Sequence, residues 1–333
     1  METMNTEELD HYLFQITPSE RKHQQNPDQL SEKYKQISTT QCHGRTVYQF
    51  TFNSLWHGNA IAVNRESRWT HIPEHVHTVV EILYVYHGEC TQYIEGTPVH
   101  MDQGDLCLLD QNVLHSIGYI SENDILVSIE MRKDYLIDHL MTKFEERGAV
   151  STFLIDALAM ENTHDQYLVF RKTNAAIQEV IQQILCEYYD QQFCSMSMID
   201  SYMVLLFCHL IRQYRTEAEA ENKESGNRII EILSYIEKHY QDLSLEELAK
   251  HFGFHPNYLS ALIRKNTGHT FRELIILQKM SKACWYLTAT DFPIYEIASE
   301  IGYSNLGFFY QKFAEIYHES PQQYRDRNRA DPY

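Results

Sequence analysis

From about Arg45 to Met131 the apolar residues come in short runs: Val47 to Phe52, Val80 to Tyr86, Cys90 to Ile94, Leu106 to Leu109 and Ile125 to Glu130. Gly58, Gly88, Gly96 and Gly104 lie among the polar positions between them. Runs of this length, rich in β-branched and aromatic residues and bounded by turn formers, predict a small antiparallel barrel or jelly roll. From Lys133 to Arg215 the period lengthens. Ala176, Ile177, Val180, Ile181, Ile184 and Leu185 recur at three and four, as do Tyr202, Leu205, Leu206, His209 and Leu210, so this segment predicts amphipathic helices. Thr216 to Asn227 reads TEAEAENKESGN and predicts a linker, since no aliphatic side chain in it is larger than alanine.

After the linker one helical pattern appears twice. Ser244 to Phe271 (SLEELAKHFGFHPNYLSALIRKNTGHTF) and Pro293 to Pro321 (PIYEIASEIGYSNLGFFYQKFAEIYHESP) align with one extra residue before the second helix of the later copy. Glu247-Leu248-Ala249 matches Glu296-Ile297-Ala298, Gly253-Phe254 matches Gly302-Tyr303, and Leu259 with Ile263 matches Phe309 with Phe313. Each copy predicts helix, glycine turn, helix, a frame that presents one exposed helix at a fixed angle to a major groove. Phe271 to Thr290 predicts the connecting helix, whose part is rigid spacing. The second copy runs into Glu319-Ser320-Pro321-Gln322-Gln323-Tyr324-Arg325. At these residues the chain resembles the arabinose-operon activator family of bacterial regulators (AraC/XylS). The resemblance implies a DNA-binding domain of two such motifs joined by a long helix.

Helical geometry sorts the second helix of each copy into faces. In the first, His255 predicts a cap with Pro256 in the first turn, where its missing N–H costs nothing. Leu259, Leu262 and Ile263 form the buried stripe, leaving Asn257, Ser260, Ala261 and Arg264 outside. Asn257 is the expected base reader, because its amide pairs bidentately with adenine, while Arg264 and Lys265 meet phosphate. In the second copy Phe309, Phe313 and Ile316 are core, and Asn305, Gly307, Tyr310, Gln311 and Ala314 face outward. The nucleic-acid contacts so expected are His255, Asn257, Tyr258, Ser260, Ala261, Arg264 and Lys265, then Ser304, Asn305, Gly307, Tyr310, Gln311 and Lys312. This chain departs from the family at Ala261, where arginine is frequent, at Ala314-Glu315, where basic residues are usual, at His318 in place of glycine, and at Lys279 in place of arginine.

The strand region carries a second constellation. His75-x-His77-x-x-x-Glu81 is followed by Gly88, and Gly104 is followed by Asp110, Asn112 and His115. This spacing resembles the two motifs of the cupin fold, whose three histidines and one glutamate can bind a divalent metal. Asp110 stands where cupins usually have proline, and Asn112 where they have glycine. His75, His77 and Glu81 alternate along one predicted strand and so share the barrel interior, with His115 approaching from a neighbour. They are expected to line or brace a ligand pocket, with no bound metal and no other cofactor, so the purified chain should carry well under one metal per chain. Arg65 and Arg68 are candidates to pair an anionic ligand. Tyr84, Tyr86, Tyr93 and Trp69 are candidates to stack on a sugar or aromatic ligand.

Charge changes the picture of the DNA contact. The chain of 333 residues has a formal net charge of -18, yet Arg228 to Arg329 holds twelve basic and twelve acidic residues. A neutral DNA-binding domain lacks the phosphate neutralisation that supplies most non-specific affinity, so weak, salt-sensitive binding is expected unless two chains act together. The seven cysteines are scattered without a Cys-x-x-Cys, as in a reducing compartment. Neither an apolar leader nor a spanning run is apparent, so a cytoplasmic location without membrane attachment is expected.

These observations predict an α+β chain. An N-terminal arm and cupin-like ligand-sensing antiparallel β-barrel occupy 1–130, a helical dimerisation segment 131–215, a linker 216–227, and an all-α double helix-turn-helix domain 228–329. The function expected is that of a ligand-responsive, sequence-specific transcription regulator and not an enzyme. Its expected partners are double-stranded DNA, a small-molecule effector for which a carbohydrate is one class, a second copy of the chain, and RNA polymerase. The rival reading is a metal-dependent cupin enzyme with a C-terminal interaction module.

Overall fold

The computed structural model describes residues 4–51, 60–132, 135–136, 167–225 and 229–329. The predicted turn at Gly58, the end of the first strand run at Phe52, most of residues 133–166 of the predicted helical segment and the last two linker residues lie outside these. The chain divides into two compact units, one from the arm through Tyr214 and one from Arg215 to the C-terminal helix. No helix among the described residues is long and apolar enough to cross a membrane.

The sensor unit opens with two helices that the hydrophobic period leaves unassigned, α1 (Thr6–Phe14) and α2 (Pro18–Gln25). Their capping chemistry is nonetheless legible. Asn5 accepts from the Glu8 N–H while Glu8 answers the Asn5 N–H, and Thr17 with Glu20 repeats the arrangement with Pro18 in the first turn. Leu9 and Leu13, one helical turn apart, are fully buried. A 3-10 turn follows at Glu32–Lys35.

The strands are β1 (Ser38–Cys42), β2 (Arg45–Phe50), β3 (Ile61–Arg65), β4 (Thr70–His77), β5 (Val80–His87), β6 (Glu89–Ile94), β7 (Thr97–Asp102), β8 (Leu106–Leu109), β9 (His115–Ile120), β10 (Ile125–Met131) and β11 (Tyr167–Phe170). They form two sheets, ordered β1-β2-β4-β9-β6-β7 and β11-β8-β5-β10-β3; every pair is antiparallel except β2 with β4. The sheets enclose an apolar core that includes Ile72, Leu83, Val85, Ile94, Met101 and Leu126. β11 corrects the expectation of helix throughout 131–215. Its β-prone Tyr-Leu-Val-Phe sequence pairs along β8 and extends that sheet.

Helices α3 (Ala175–Asp190) and α4 (Ser195–Ser225) follow the predicted period, with Ile177, Ile181, Ile184, Leu185, Met203, Leu206 and Leu210 buried. α4 continues through residues 216–225, most of the stretch that reads as a linker. Glutamate, alanine and lysine dominate there, and these favour helix as readily as they favour solvent.

The helical unit contains α5 (Ile229–His239), α6 (Leu245–Phe252), α7 (Pro256–Thr267), α8 (Phe271–Ala289), α9 (Ile294–Glu300), α10 (Leu306–Tyr317) and α11 (Pro321–Arg329). α6 with α7 and α9 with α10 are the two predicted helix pairs. Gly253 and Gly302 turn them at φ +71° and +81°, in the left-handed region that favours glycine. α7 ends on Gly268 at φ +71°, whereas α10 ends on His318 at φ +58°. A β-carbon in that conformation is strained, so His318→Gly should raise the stability of the helical unit by roughly 0.5–1 kcal/mol in chemical denaturation.

Candidate functional site

The sensor site is built from facing strands. Cross-strand register pairs His75 with His115 in one sheet and Glu81 with Glu130 in the other, and places Phe50 beside His77. Glu81, Leu83 and Val85 alternate on one face of β5, and the latter two belong to the enclosed core, so Glu81 points inward. The sequence reading of one strand carrying His75, His77 and Glu81 is thus corrected. β4 ends at His77, a short turn at Thr78-Val79 intervenes, and Glu81 is the second residue of β5 in the opposite sheet.

The four predicted side chains do meet. Donor atoms of His75, His77 and His115 lie within 4.8 Å of one another. Glu81 Oε2 stands 3.1 Å from His115 Nε2 and 3.5 Å from His77 Nε2. Nδ1 of His75 contacts the Pro73 carbonyl at 2.8 Å and Nδ1 of His115 contacts that of Val113 at 3.0 Å. A proton on each Nδ1 makes these hydrogen bonds and leaves Nε2 facing the cluster, which is how ligating imidazoles are commonly oriented. Phe50 stacks on His77 at 5.1 Å between centroids.

Burial sets the charge states. It is the largest influence on each group, raising the carboxyl pKa values and lowering those of the imidazoles. For Glu81 the neighbouring His77 and His115 outweigh burial and hold the carboxyl at about 2. His115 is correspondingly raised by Glu81, against burial. His75 is pushed well below its usual value by burial and by the other two histidines, and His77 falls to about 4. Glu130 climbs to about 8 by burial and by the charges of Glu81 and Glu66. At neutral pH the interior therefore holds a charged Glu81, two neutral imidazoles at His75 and His77 and a largely neutral Glu130, with His115 biased toward its protonated form.

Three further residues belong to this interior and were not singled out by motif reading. Glu130 approaches His77 Nδ1 at 3.8 Å and accepts from Asn64 Nδ2 at 3.1 Å. Gln92 is fully buried with neither amide atom hydrogen-bonded, and the buried Ser128 hydroxyl is in the same condition. Their signal in the sequence is a polar residue at an inward position of an otherwise apolar strand.

Both ring nitrogens of His77 also have no hydrogen-bond partner, and Glu81 Oε2 is engaged by His115. Buried polar atoms without partners cost free energy that an occupant can recover. Three imidazoles, two of them fixed from behind by backbone carbonyls, and one carboxylate fit a divalent cation. That fit goes beyond the expectation of a ligand-lining role alone.

The other pocket candidates lie elsewhere. Arg65 Nη2 and Arg68 Nε each meet Glu20 at 2.8 Å, and Glu20 is fully buried. Both guanidinium groups also donate to carbonyls at the end of α1 and beyond. Their anion is thus an internal carboxylate. Tyr84 and Tyr86 lie on the outward face of β5, opposite Glu81, and Tyr86 donates to Asp10 of the arm. Tyr93 sits between the buried Gln92 and Ile94 and is exposed. The Trp69 ring is covered by the Arg68 guanidinium at 4.7 Å.

In the helical unit the predicted faces are observed on α7. His255 caps it, accepting from the Asn257 N–H; Leu259 and Ile263 are buried, Leu262 is half-buried, and Asn257, Tyr258, Ala261, Arg264 and Lys265 are exposed with Ser260 half-buried. On α10 the arrangement differs in chemistry. Asn305 is the cap, its side chain accepting from Phe308 N–H at 3.0 Å, so its carbonyl oxygen is committed. Gln311 donates to Glu315 at 2.9 Å, and Lys312 pairs with the same carboxylate. Ser304 and Gly307 are exposed, and Tyr310 is half-buried against Phe309. Glu315 therefore occupies both the candidate reader and the cation beside it.

Lys279 does more than space the motifs. Its Nζ donates to the carbonyls of Gln241 and Gly302, each at 3.0 Å, and lies over the Tyr303 ring. It ties the chain after α5 and the turn of the second motif to the connecting helix.

A sheet sandwich with an inward polar cluster is joined in one chain to paired helix-turn-helix motifs, the architecture of a ligand-binding domain followed by a helix-turn-helix domain. Residues 59–130 match the AraC-like ligand binding domain and residues 248–327 match the Helix-turn-helix domain, and the chain belongs to the AraC family of regulators that combines them. An "Uncharacterized HTH-type transcriptional regulator" of Staphylococcus aureus is 24% identical over 244 residues, 73% of this chain and 31% of that protein. The regulator YtdP of Bacillus subtilis is 29% identical over 113 residues, 34% of this chain and 14% of that protein. The C-terminal domain of AraT, a response regulator from Geobacillus stearothermophilus, is 34% identical, covering 32% of this chain and 88% of that one, with a TM-score of 0.30. The chain spans less than a third of the length of the curated relatives it matches.

Proposed function

We propose that the chain is a cytoplasmic transcription regulator and not an enzyme: a small-molecule effector binds in the barrel and alters how two chains set their recognition helices on DNA. The observation that carries this reading is the joining, in one chain, of an enclosed polar cluster with unpartnered donors and acceptors to two helix-turn-helix motifs. The effector must favour one arrangement of the chains over the other to act. DNA crosslinked to the protein in its native cell should contain discrete sites, each with two protected segments per chain about ten base pairs apart. Recovery spread evenly over the genome would overturn the reading.

His75, His77, His115 and Glu81 would hold a divalent cation, which would supply a Lewis-acidic anchor for an oxygen atom of the effector. Glu130, held by Asn64, lies behind His77 at 3.8 Å, and Phe50 shields the His77 ring from water. Added Zn²⁺ or Mn²⁺ should raise the melting temperature of the full chain by binding the folded state, and His77→Ala should remove the rise. An equal rise in the variant would place the ion elsewhere, for example at the exposed Glu89, His100 and Asp102.

Pairing of two chains is supported by α4, where Met198 and Leu205, seven residues apart on one face, are 40% and 46% exposed. A neutral DNA-binding unit gains most from such linkage, because the second contact becomes intramolecular. A fragment beginning at Arg228 should bind an operator much more weakly than the full chain in a gel-shift titration. Equal affinity would refute dimeric binding through the sensor part.

A further inference from the structure

Outside the barrel the N-terminal arm encloses a cavity of about 320 Å³ against Ser67 of the β3–β4 turn. α2 supplies Ser19, Lys22 and His23, and the stretch that follows supplies Ser31 and Lys33. His23 is 2% exposed. Its Nε2 lies 2.9 Å from Ser31 Oγ and 3.2 Å from Ser19 Oγ, and the two hydroxyls are 2.9 Å apart. Its Nδ1 is buried, and the Gln29 backbone is a polar neighbour of the ring.

The carboxylates nearby are already committed. Glu20 is clamped by Arg65 and Arg68, and Glu32 pairs with Lys35 at 2.7 Å. Lys22 and Lys33 have no such partner among the described residues, and both act electrostatically on His23. On a chain of net charge -18, two ammonium groups, two hydroxyls and an imidazole meet at one cavity whose lining carboxylate, Glu32, is engaged by Lys35, a local reversal of sign. Pro18 and Leu30 add an apolar wall.

We propose that this cavity binds the oxyanion of a small metabolite, a phosphate monoester or a carboxylate, as a site separate from the barrel interior. The lysines supply charge, Ser19 and Ser31 rotate to donate, and the carbon part of the ligand lies on Leu30 and Pro18. The volume suits a small organic anion, at the lower end of ligand sites. The site also touches the sensor cluster through one wall. Lys33 Nζ is 5.8 Å from the centre of the Phe50 ring, and Phe50 stacks on His77. An anion drawn to Lys33 would therefore act on the aromatic ring that backs the histidines, giving the sensor a second input.

The test titrates the full chain with inorganic phosphate and with acetate by calorimetry, and repeats the titrations on variants. At least one anion should bind saturably, and its identity assigns the phosphoryl or the carboxylate class. The double variant Lys22→Gln/Lys33→Gln should weaken that binding about tenfold or more, Ser31→Ala should weaken it while keeping both charges, and replacement of an exposed lysine that does not line the cavity, Lys172→Gln, should leave it unchanged. Failure of both anions to saturate overturns the proposal. So does wild-type affinity in the double variant when its melting temperature is unaltered.

Discussion

Glu20→Gln is expected to cost the sensor unit about 3–5 kcal/mol at neutral pH, because it strands two buried guanidinium groups at once. The arm is held by this carboxylate. Arg65 reaches it from the end of β3 and Arg68 from the turn before β4, and the same arginines donate to carbonyls at the end of α1. The pH dependence follows from the direction of the shift. Burial raises the Glu20 pKa, but the hydrogen bond from Arg68, those at the Thr17 cap and the charge of Arg65 more than offset it, leaving the carboxyl below its ordinary value. A depressed folded pKa contributes stability that is complete above the unfolded value, about 4.3, and is lost as pH falls through the folded one. The gap between wild type and Glu20→Gln should therefore be largest at neutral pH and narrow in acid. Denaturant unfolding at several pH values, followed by tryptophan fluorescence in a chain whose Trp56 and Trp285 are replaced by phenylalanine, measures both. A neutral-pH loss of only a few tenths of a kcal/mol, as for a solvated surface pair, would contradict the buried clamp.

Asn257→Ala should relax base preference at one operator position and cost on the order of 1–3 kcal/mol, while Gln311→Ala should cost less. The asymmetry rests on Glu315. It accepts from Gln311 and pairs with Lys312, so the second helix meets DNA with its reader and its cation already engaged and a negative charge facing phosphate. Glu315→Gln should accordingly strengthen binding to all sequences and steepen its salt dependence, whereas Arg264→Ala should weaken all sequences alike and flatten it. Binding to a panel of single-base operator variants at two salt concentrations separates these effects. If Gln311→Ala is the more damaging change, or Arg264→Ala alters base preference, the division between reading and anchoring is wrong.

How much of this could be read in the sequence depends on whether the determinant was local. The helix pairs of the second unit were legible because caps, glycine turns and apolar stripes lie within a few residues of one another, and His255, Pro256 and Gly253 each act where they stand. The meeting of His75, His77, Glu81 and His115 followed from motif spacing, although their division between two sheets did not, since a turn at Thr78-Val79 leaves no strong turn former. The fates of Arg65 and Arg68 were hidden because their partner lies 45 and 48 residues away in a helix without an apolar period. Gln311 shows the same limit at short range. Periodicity turns its side chain outward, but whether it reads a base or a neighbouring carboxylate is decided by rotamers that spacing does not fix.

The Lys279 ammonium, held between two carbonyls, has a consequence for the DNA. Each added base pair turns the duplex by roughly a tenth of a revolution, so two recognition helices locked to one shaft accept a single phase between the segments they touch. Tolerance to insertion should then be divided unequally across an operator: none between the two segments read by one chain, and some between the half-sites of paired chains. Where a natural site falls out of phase, the duplex and not the protein must twist to meet it, so sequences that twist easily acquire an advantage at positions no side chain touches.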